Sequence, residues 1–191
     1  MCKAGLGSIC YFYFDFKDTS KREVRGLLTS LLDQLCDQSD HSWNLLSQLY
    51  ATHRDGAEQP SEAKLIECLK GMLNMDGQPP IYIIIDALDE CPNTSGIPSP
   101  REDVIDLVED LVKLHFSNLR LLITSRPEHD IRLVLESLTP LHIALHDQMG
   151  QKDDIESYVR FVVYSDKTIR RWRDGDKGLV IRTLSKKANG M

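Results

Sequence analysis

The chain has 191 residues, 41% of them hydrophobic: enough for one domain or one and a half, and too apolar for wholesale disorder. Its 23 basic and 29 acidic residues leave a net charge of −6, without the global positive field that draws in nucleic acid. No run is long and apolar enough to span a membrane and no signal-peptide core follows Met1, so an intracellular, cytoplasmic protein without membrane or nucleic-acid partners is expected.

Ile9 to Phe16, rich in aromatics, reads as a first strand. Ser20 and Glu23 have the spacing of a capping box, and Val24, Leu27, Leu28, Leu31, Leu32 and Leu35 follow at helical intervals. A shorter helix is expected over Ser42 to Ala51. After a polar break, Ser61 caps a helix with Leu65, Ile66, Leu69, Met72 and Leu73 on its buried face. Pro79 and Pro80 stop that helix. Ile81 to Ile85 is an unbroken apolar run with four isoleucines, which reads as a strand covered on both faces, as in a parallel sheet. A proline-rich loop leads to a helix over Arg101 to Phe116, a strand over Leu119 to Thr124, a helix over Glu128 to Leu138 and a short strand over Leu141 to Leu145. Strands alternating with helices predict a parallel α/β sheet. Beyond that no strand signal recurs: helices are expected after Asp153-Asp154, around Trp172 and over Lys177 to Asn189. The division is placed at Asp147, giving an α/β core over 1–147 and a small helical segment over 148–191.

Chemistry concentrates where the central strand ends. Asp86, Asp89 and Glu90 follow it, and in open α/β sheets ligands bind at the carboxyl ends of the strands. An acid there can hold Mg²⁺, and a second can orient or deprotonate a water beside a phosphate. The strand at Leu119 ends in Thr124-Ser125-Arg126-Pro127, and a guanidinium there suits a phosphate through charge and its planar fork of donors. Elsewhere little is expected. The five cysteines are odd in number and widely spaced, which suggests reduced thiols rather than a zinc site or a disulfide framework. The histidines are not expected to hold metal. Lys167, Arg170, Arg171 and Arg173 around Trp172 read as a solvated helix face.

Ile81 to Glu90 resembles the Walker B strand of NACHT-type signal-transduction NTPases, and Thr124 to Pro127 resembles their sensor-1 element. Tyr11 to Phe16, the leucine-rich helix after it and Lys187 to Met191 are similar to the fungal branch, often described as nephrocystin-like N-terminal domains and joined to ankyrin or WD repeats. The resemblance implies a P-loop NTPase-like sheet and a cytoplasmic signalling switch using ATP or GTP with Mg²⁺. By position, Asp86 would hold the metal, Asp89 or Glu90 would activate water, and Thr124 and Arg126 would meet the nucleotide. The residues after about 150 would begin a helical lid. Protein partners would act through the repeats, and the complete protein could form homo-oligomers.

The sequence departs from the family in one respect. A P-loop needs Gly-x-x-x-x-Gly-Lys-Ser/Thr, and no Gly-Lys pair occurs in the chain. The expectation is therefore of an incomplete sheet, an internal slice of an NTPase lacking its Walker A strand. In the family that strand lies between the sensor strand and the last one. Without it, Leu119–Thr124 and Leu141–Leu145 must pair directly or leave backbone groups unpaired. The isolated chain is expected to bind ATP weakly or not at all, so that cofactors could be absent from it. Two alternatives remain: a non-catalytic interaction module built on the same scaffold, and an unrelated Mg²⁺-dependent phosphohydrolase using Asp86, Asp89 and Glu90.

Overall fold

A computed structural model describes residues 7–53, 56–74, 77–94, 96–138, 141–144 and 151–187. Three strands, β1 (Ser8–Tyr13), β2 (Ile81–Asp86) and β3 (Leu119–Ile123), form one parallel sheet in the order β1-β2-β3. Helices α1 (Val24–Cys36), α2 (Asp40–Thr52) and α3 (Glu62–Leu73) lie between β1 and β2, and α4 (Pro100–Lys113) lies between β2 and β3. Helix α5 (His129–Leu138) follows β3, and α6 (Gln151–Ser165) and α7 (Asp174–Lys187) complete the helical tail. The expected class holds: a parallel α/β sheet flanked by helices, then a small helical segment. The chain falls into two compact units, residues 1–139 and 140–191. Asp147, the expected division, lies outside the described residues.

The core of the first unit forms on one side of the sheet. Cys10 and Phe12 of β1 and Ile81, Ile83 and Ile85 of β2 are buried, in one cluster with the leucines of α1, Leu69, Met72 and Leu73 of α3 and Val104, Val108 and Leu111 of α4. Among the described residues the opposite side is more open. Tyr11, Ile84 and Leu122 share one row across the three strands; Tyr11 is 58% exposed and Leu122 57%, while Ile84 is half-buried. The expectation that β2 is covered on both faces is therefore corrected. Its alternation is real, but Tyr82 and Ile84 on the open side are themselves apolar, so the run looks uniform.

The two edges of the sheet differ. The Gln34 side-chain amide accepts from Tyr11 N at 2.9 Å and donates to Tyr11 O at 2.8 Å. Gln38 does the same for Ile9, at 3.0 and 2.9 Å. Four residues apart, one on α1 and the other just past its end, the two amides stand where a neighbouring strand would. The outer edge of β3 carries no strand among the described residues. Asn118 and Thr124 bond to β2, so by the alternation of a parallel ladder Leu121 and Ile123 turn their backbone groups outward. The strand expected over Leu141 to Leu145 does not form in residues 141–144, which are irregular; Leu145 lies outside the described residues. Direct pairing of that segment with β3 is thus not seen.

Smaller corrections concern the caps. Strand β1 stops at Tyr13, short of Phe16. Ser20 does not cap α1: it sits in a 3-10 turn, Thr19–Lys21, capped by Asp18, and α1 begins four residues later without a side-chain cap. The turn folds onto the first turn of α1 at Gly26, where a Cβ would run into the Ser20 carbonyl oxygen. The full capping box belongs to α4, where Ser99 and Glu102 satisfy each other's backbone amides. Ser61 caps α3 as expected.

In the second unit α6 and α7 pack together, burying Val163 and Ile181. Lys177 is buried with its ammonium 3.2 Å from Asp174 Oδ1 and 5.3 Å from the centre of the Tyr164 ring. Trp172 is not helical: it ends a 3-10 turn, Ile169–Arg171, in an extended conformation. Among the described residues no helix is long and apolar enough to cross a membrane.

Candidate functional site at the carboxyl ends of the strands

Because all three strands are parallel, their carboxyl ends open on one edge, and the loops that follow carry the acids and the arginine singled out in the sequence. Asp86 closes β2 and is exposed. Its Oδ1 accepts from the Thr124 hydroxyl just beyond the end of β3, and that hydroxyl accepts from Ala87 N at 3.1 Å. Two backbone bonds reinforce the seam: Thr124 N donates to Ile85 O at 2.9 Å and Leu88 N donates to Thr124 O at 3.0 Å.

Between Asp86 and Leu88 the chain turns through Ala87, which is left-handed at φ 55° and ψ 46°. This conformation is costly for a residue with a Cβ. It is held because Leu88 is fully buried and both neighbouring amides are bonded across to Thr124. The 3-10 turn Leu88–Glu90 then points Asp89 toward Arg126. Asp89 Oδ1 accepts from Arg126 N at 3.0 Å and Oδ2 lies 3.3 Å from Arg126 Nε. The Asp89 side chain is only 7% exposed, the Arg126 side chain 77%. Glu90 faces the other neighbour: its Oε2 accepts from Phe16 N at 3.4 Å, in the loop after β1. Asp86, Asp89, Thr124 and Arg126 are thus brought together on one edge, while Glu90 turns toward the β1 side.

Beneath this row lies a residue that the sequence did not flag. Arg101, in the first turn of α4, is 5% exposed. Its Nε donates to Cys91 O at 2.9 Å and its Nη2 to Asp89 O at 2.6 Å. Its Nη1 reaches Glu128 Oε2 at 2.7 Å and Asp130 Oδ2 at 3.1 Å. Burial opposes the charge, but Glu128 and Asp130 outweigh it and raise the pKa above the ordinary guanidinium value. The one hint in the sequence is positional: the start of a helix disfavours a cation, so an arginine there needs acids nearby.

The acids do not converge as a cage. Among the described residues no group of three His, Cys, Asp or Glu side chains could hold a metal ion. An exposed carboxylate with a hydroxyl beside it does fit Mg²⁺, which keeps several waters and takes one or two protein carboxylates plus substrate phosphates. The histidines include one pair four apart, His142 and His146; His142 is in irregular chain and His146 lies outside the described residues. Cys91 is buried next to the acid loop, its thiol donating to Arg22 O at 3.2 Å, and burial pushes its pKa up to about 12.

Comparison with known proteins finds a family match. The family model described as Nephrocystin 3, N-terminal aligns with residues 2–126, from before β1 through Arg126. No curated protein and no solved structure matches the chain.

Proposed function

Given that the chain belongs to the Nephrocystin 3 N-terminal family, we propose that the carboxyl edge of its sheet is the metal-and-sensor part of a NACHT-type nucleotide switch. One observation carries the proposal: Asp86, Thr124, Asp89 and Arg126 leave adjoining parallel strands on one edge, joined by direct bonds. In this reading Asp86 holds Mg²⁺, with Thr124 fixing the rotamer of its carboxylate. The metal would neutralise charge on the β- and γ-phosphates of ATP or GTP. Arg126, exposed and anchored at its own amide, meets the terminal phosphate. Asp89 is committed to Arg126 through both oxygens, so the water-activating role falls to Glu90, whose carboxylate holds one long bond. Nothing among these residues replaces the amides and lysine of a P-loop, so affinity is expected to come from a glycine-rich strand–helix unit added to the sheet.

Calorimetry with ATP and Mg²⁺ tests this, on the chain alone and on the chain joined to a strand–helix unit carrying Gly-x-x-x-x-Gly-Lys-Ser/Thr. The expected result is weak or no binding alone, micromolar binding when joined, and loss of metal-dependent binding with Asp86→Ala. Joined protein that ignores ATP, or binds it equally well with Asp86→Ala, would sink the proposal.

The open sheet face favours a second reading, a non-catalytic interaction module. Tyr11, Tyr13 and Leu122 are large, exposed and in register with β2. That reading expects no nucleotide binding in either form.

A further inference from the structure

The contacts of Arg101 close a ring. Arg101 Nη2 donates to Asp89 O, and Arg101 Nη1 to Glu128 Oε2. Glu128 N donates to Arg126 O at 2.8 Å, and Arg126 N donates back to Asp89 Oδ1 at 3.0 Å. Only the last of these links joins the loop after β2 directly to the loop after β3; Arg101, from α4, is the member that reaches both loops from beneath. We propose that Arg101 is a positioning residue that sets the separation of Asp89 and Arg126. The consequence, that it aligns the acid loop with the guanidinium meant for a terminal phosphate, rests on the nucleotide reading above.

Covalent connection alone does not hold these loops in register. Strand β3 ends at Ile123, and the chain from Thr124 to Glu128 is irregular. Arg126 is 77% exposed, so solvent competes for its ion pair. Arg101 is buried, and all three of its guanidinium nitrogens are used, two on carbonyls of the acid loop and one on the carboxylates of Glu128 in the other loop and Asp130 in the first turn of α5. A lysine offers a single compact ammonium on a flexible stem and cannot span both loops in fixed geometry. A residue needed only to fill space or supply charge would tolerate that exchange.

Amide hydrogen exchange followed by NMR on the full chain separates the roles. In Arg101→Lys the Arg126 amide is expected to exchange at least about tenfold faster, while the Ile83 and Ile85 amides in β2 keep their rates. Glu128→Ala removes a partially exposed member of the ring, is expected to fold even if Arg101 tolerates no replacement, and is expected to give the same local loss. Unchanged Arg126 exchange in both variants, or a uniform rise that includes β2, overturns the positioning role and leaves the nucleotide reading intact. A second measurement addresses purpose. In the joined protein Arg101→Lys is expected to lower the preference for ATP over ADP by about tenfold. If the parent protein binds neither nucleotide, the nucleotide reading falls while loosening at Arg126 still upholds the positioning role.

Discussion

Asp89 grips Arg126 at two points, its backbone amide at 3.0 Å and its guanidinium nitrogen Nε at 3.3 Å, with the acid recessed and the arginine in solvent. The two residues therefore contribute unequally. Asp89→Ala removes the charged acceptor of the Arg126 amide together with the ion pair and is expected to cost about 1–3 kcal/mol. Arg126→Ala removes only a solvent-screened ion pair, and a loss below about 1 kcal/mol is expected. The double variant should cost little more than Asp89→Ala. Urea unfolding of the three proteins measures this; an Arg126→Ala loss equal to that of Asp89→Ala would show that the guanidinium, not the amide, carries the contact.

Ala87 offers a cleaner test of the acid loop, because its strain is local. A left-handed alanine costs about 1 kcal/mol relative to glycine. Ala87→Gly is thus expected to raise stability by up to that amount, offset in part by the freedom glycine adds to the unfolded chain. Ala87→Val places a branched side chain in the same conformation and is expected to destabilise by more than about 1 kcal/mol. The signs, read from denaturation midpoints, decide. A stabilising valine would mean that the loop does not hold the left-handed turn in solution.

How far the sequence reveals this fold depends on where each residue's partners lie. The helical leucines of α1 and the isoleucines of β2 declare themselves, because periodicity and bounding prolines are local signals. That Asp86 and Arg126 would open on one edge could be anticipated, since both follow from the carboxyl ends of strands in a parallel sheet. What stayed hidden is long-range. Arg101 takes its partners from positions 89, 91, 128 and 130, and in the sequence it looks like any charged residue of an amphipathic helix. Gln34 on α1 and Gln38 just past its end look like ordinary surface amides, yet they finish a sheet edge. The strand expected over Leu141 to Leu145 failed the other way over residues 141–144. Apolar residues around a histidine have no strand identity until a ladder partner takes them, and composition alone cannot supply one.

Cys91 links burial to alkaline stability. Its folded pKa is pushed up to about 12 by burial, against a free thiol near 9. Between those values the unfolded chain has released the proton and the folded chain still holds it. Stability is therefore complete below the unfolded pKa and falls as pH rises through this window, by at most about 1.4 kcal/mol per pH unit for this one group. Cys91→Ala is expected to flatten that slope while lowering stability at neutral pH through the lost side chain. Unfolding curves from neutral pH upward measure both. An unchanged slope would mean that the thiol ionises as readily folded as unfolded.

Gln34 and Gln38 protect the β1 edge only because an amide both donates and accepts. Gln34→Glu keeps an acceptor for Tyr11 N but turns a second oxygen toward Tyr11 O, where Gln34 Nε2 donates at 2.8 Å. A loss of about 1–3 kcal/mol is expected at neutral pH. The introduced carboxyl regains a donor when protonated, so its folded pKa should lie above its unfolded one, near 4.3. Stability should then recover as pH falls through the folded value, a trend absent from Gln34→Leu. Gln34→Leu instead bares the edge at every pH and is expected to promote edge-to-edge association, visible by sedimentation velocity as a concentration-dependent dimer. If Gln34→Glu is as stable as the parent at neutral pH, the side chain does not substitute for a strand, and the asymmetry between the β1 and β3 edges loses its physical basis.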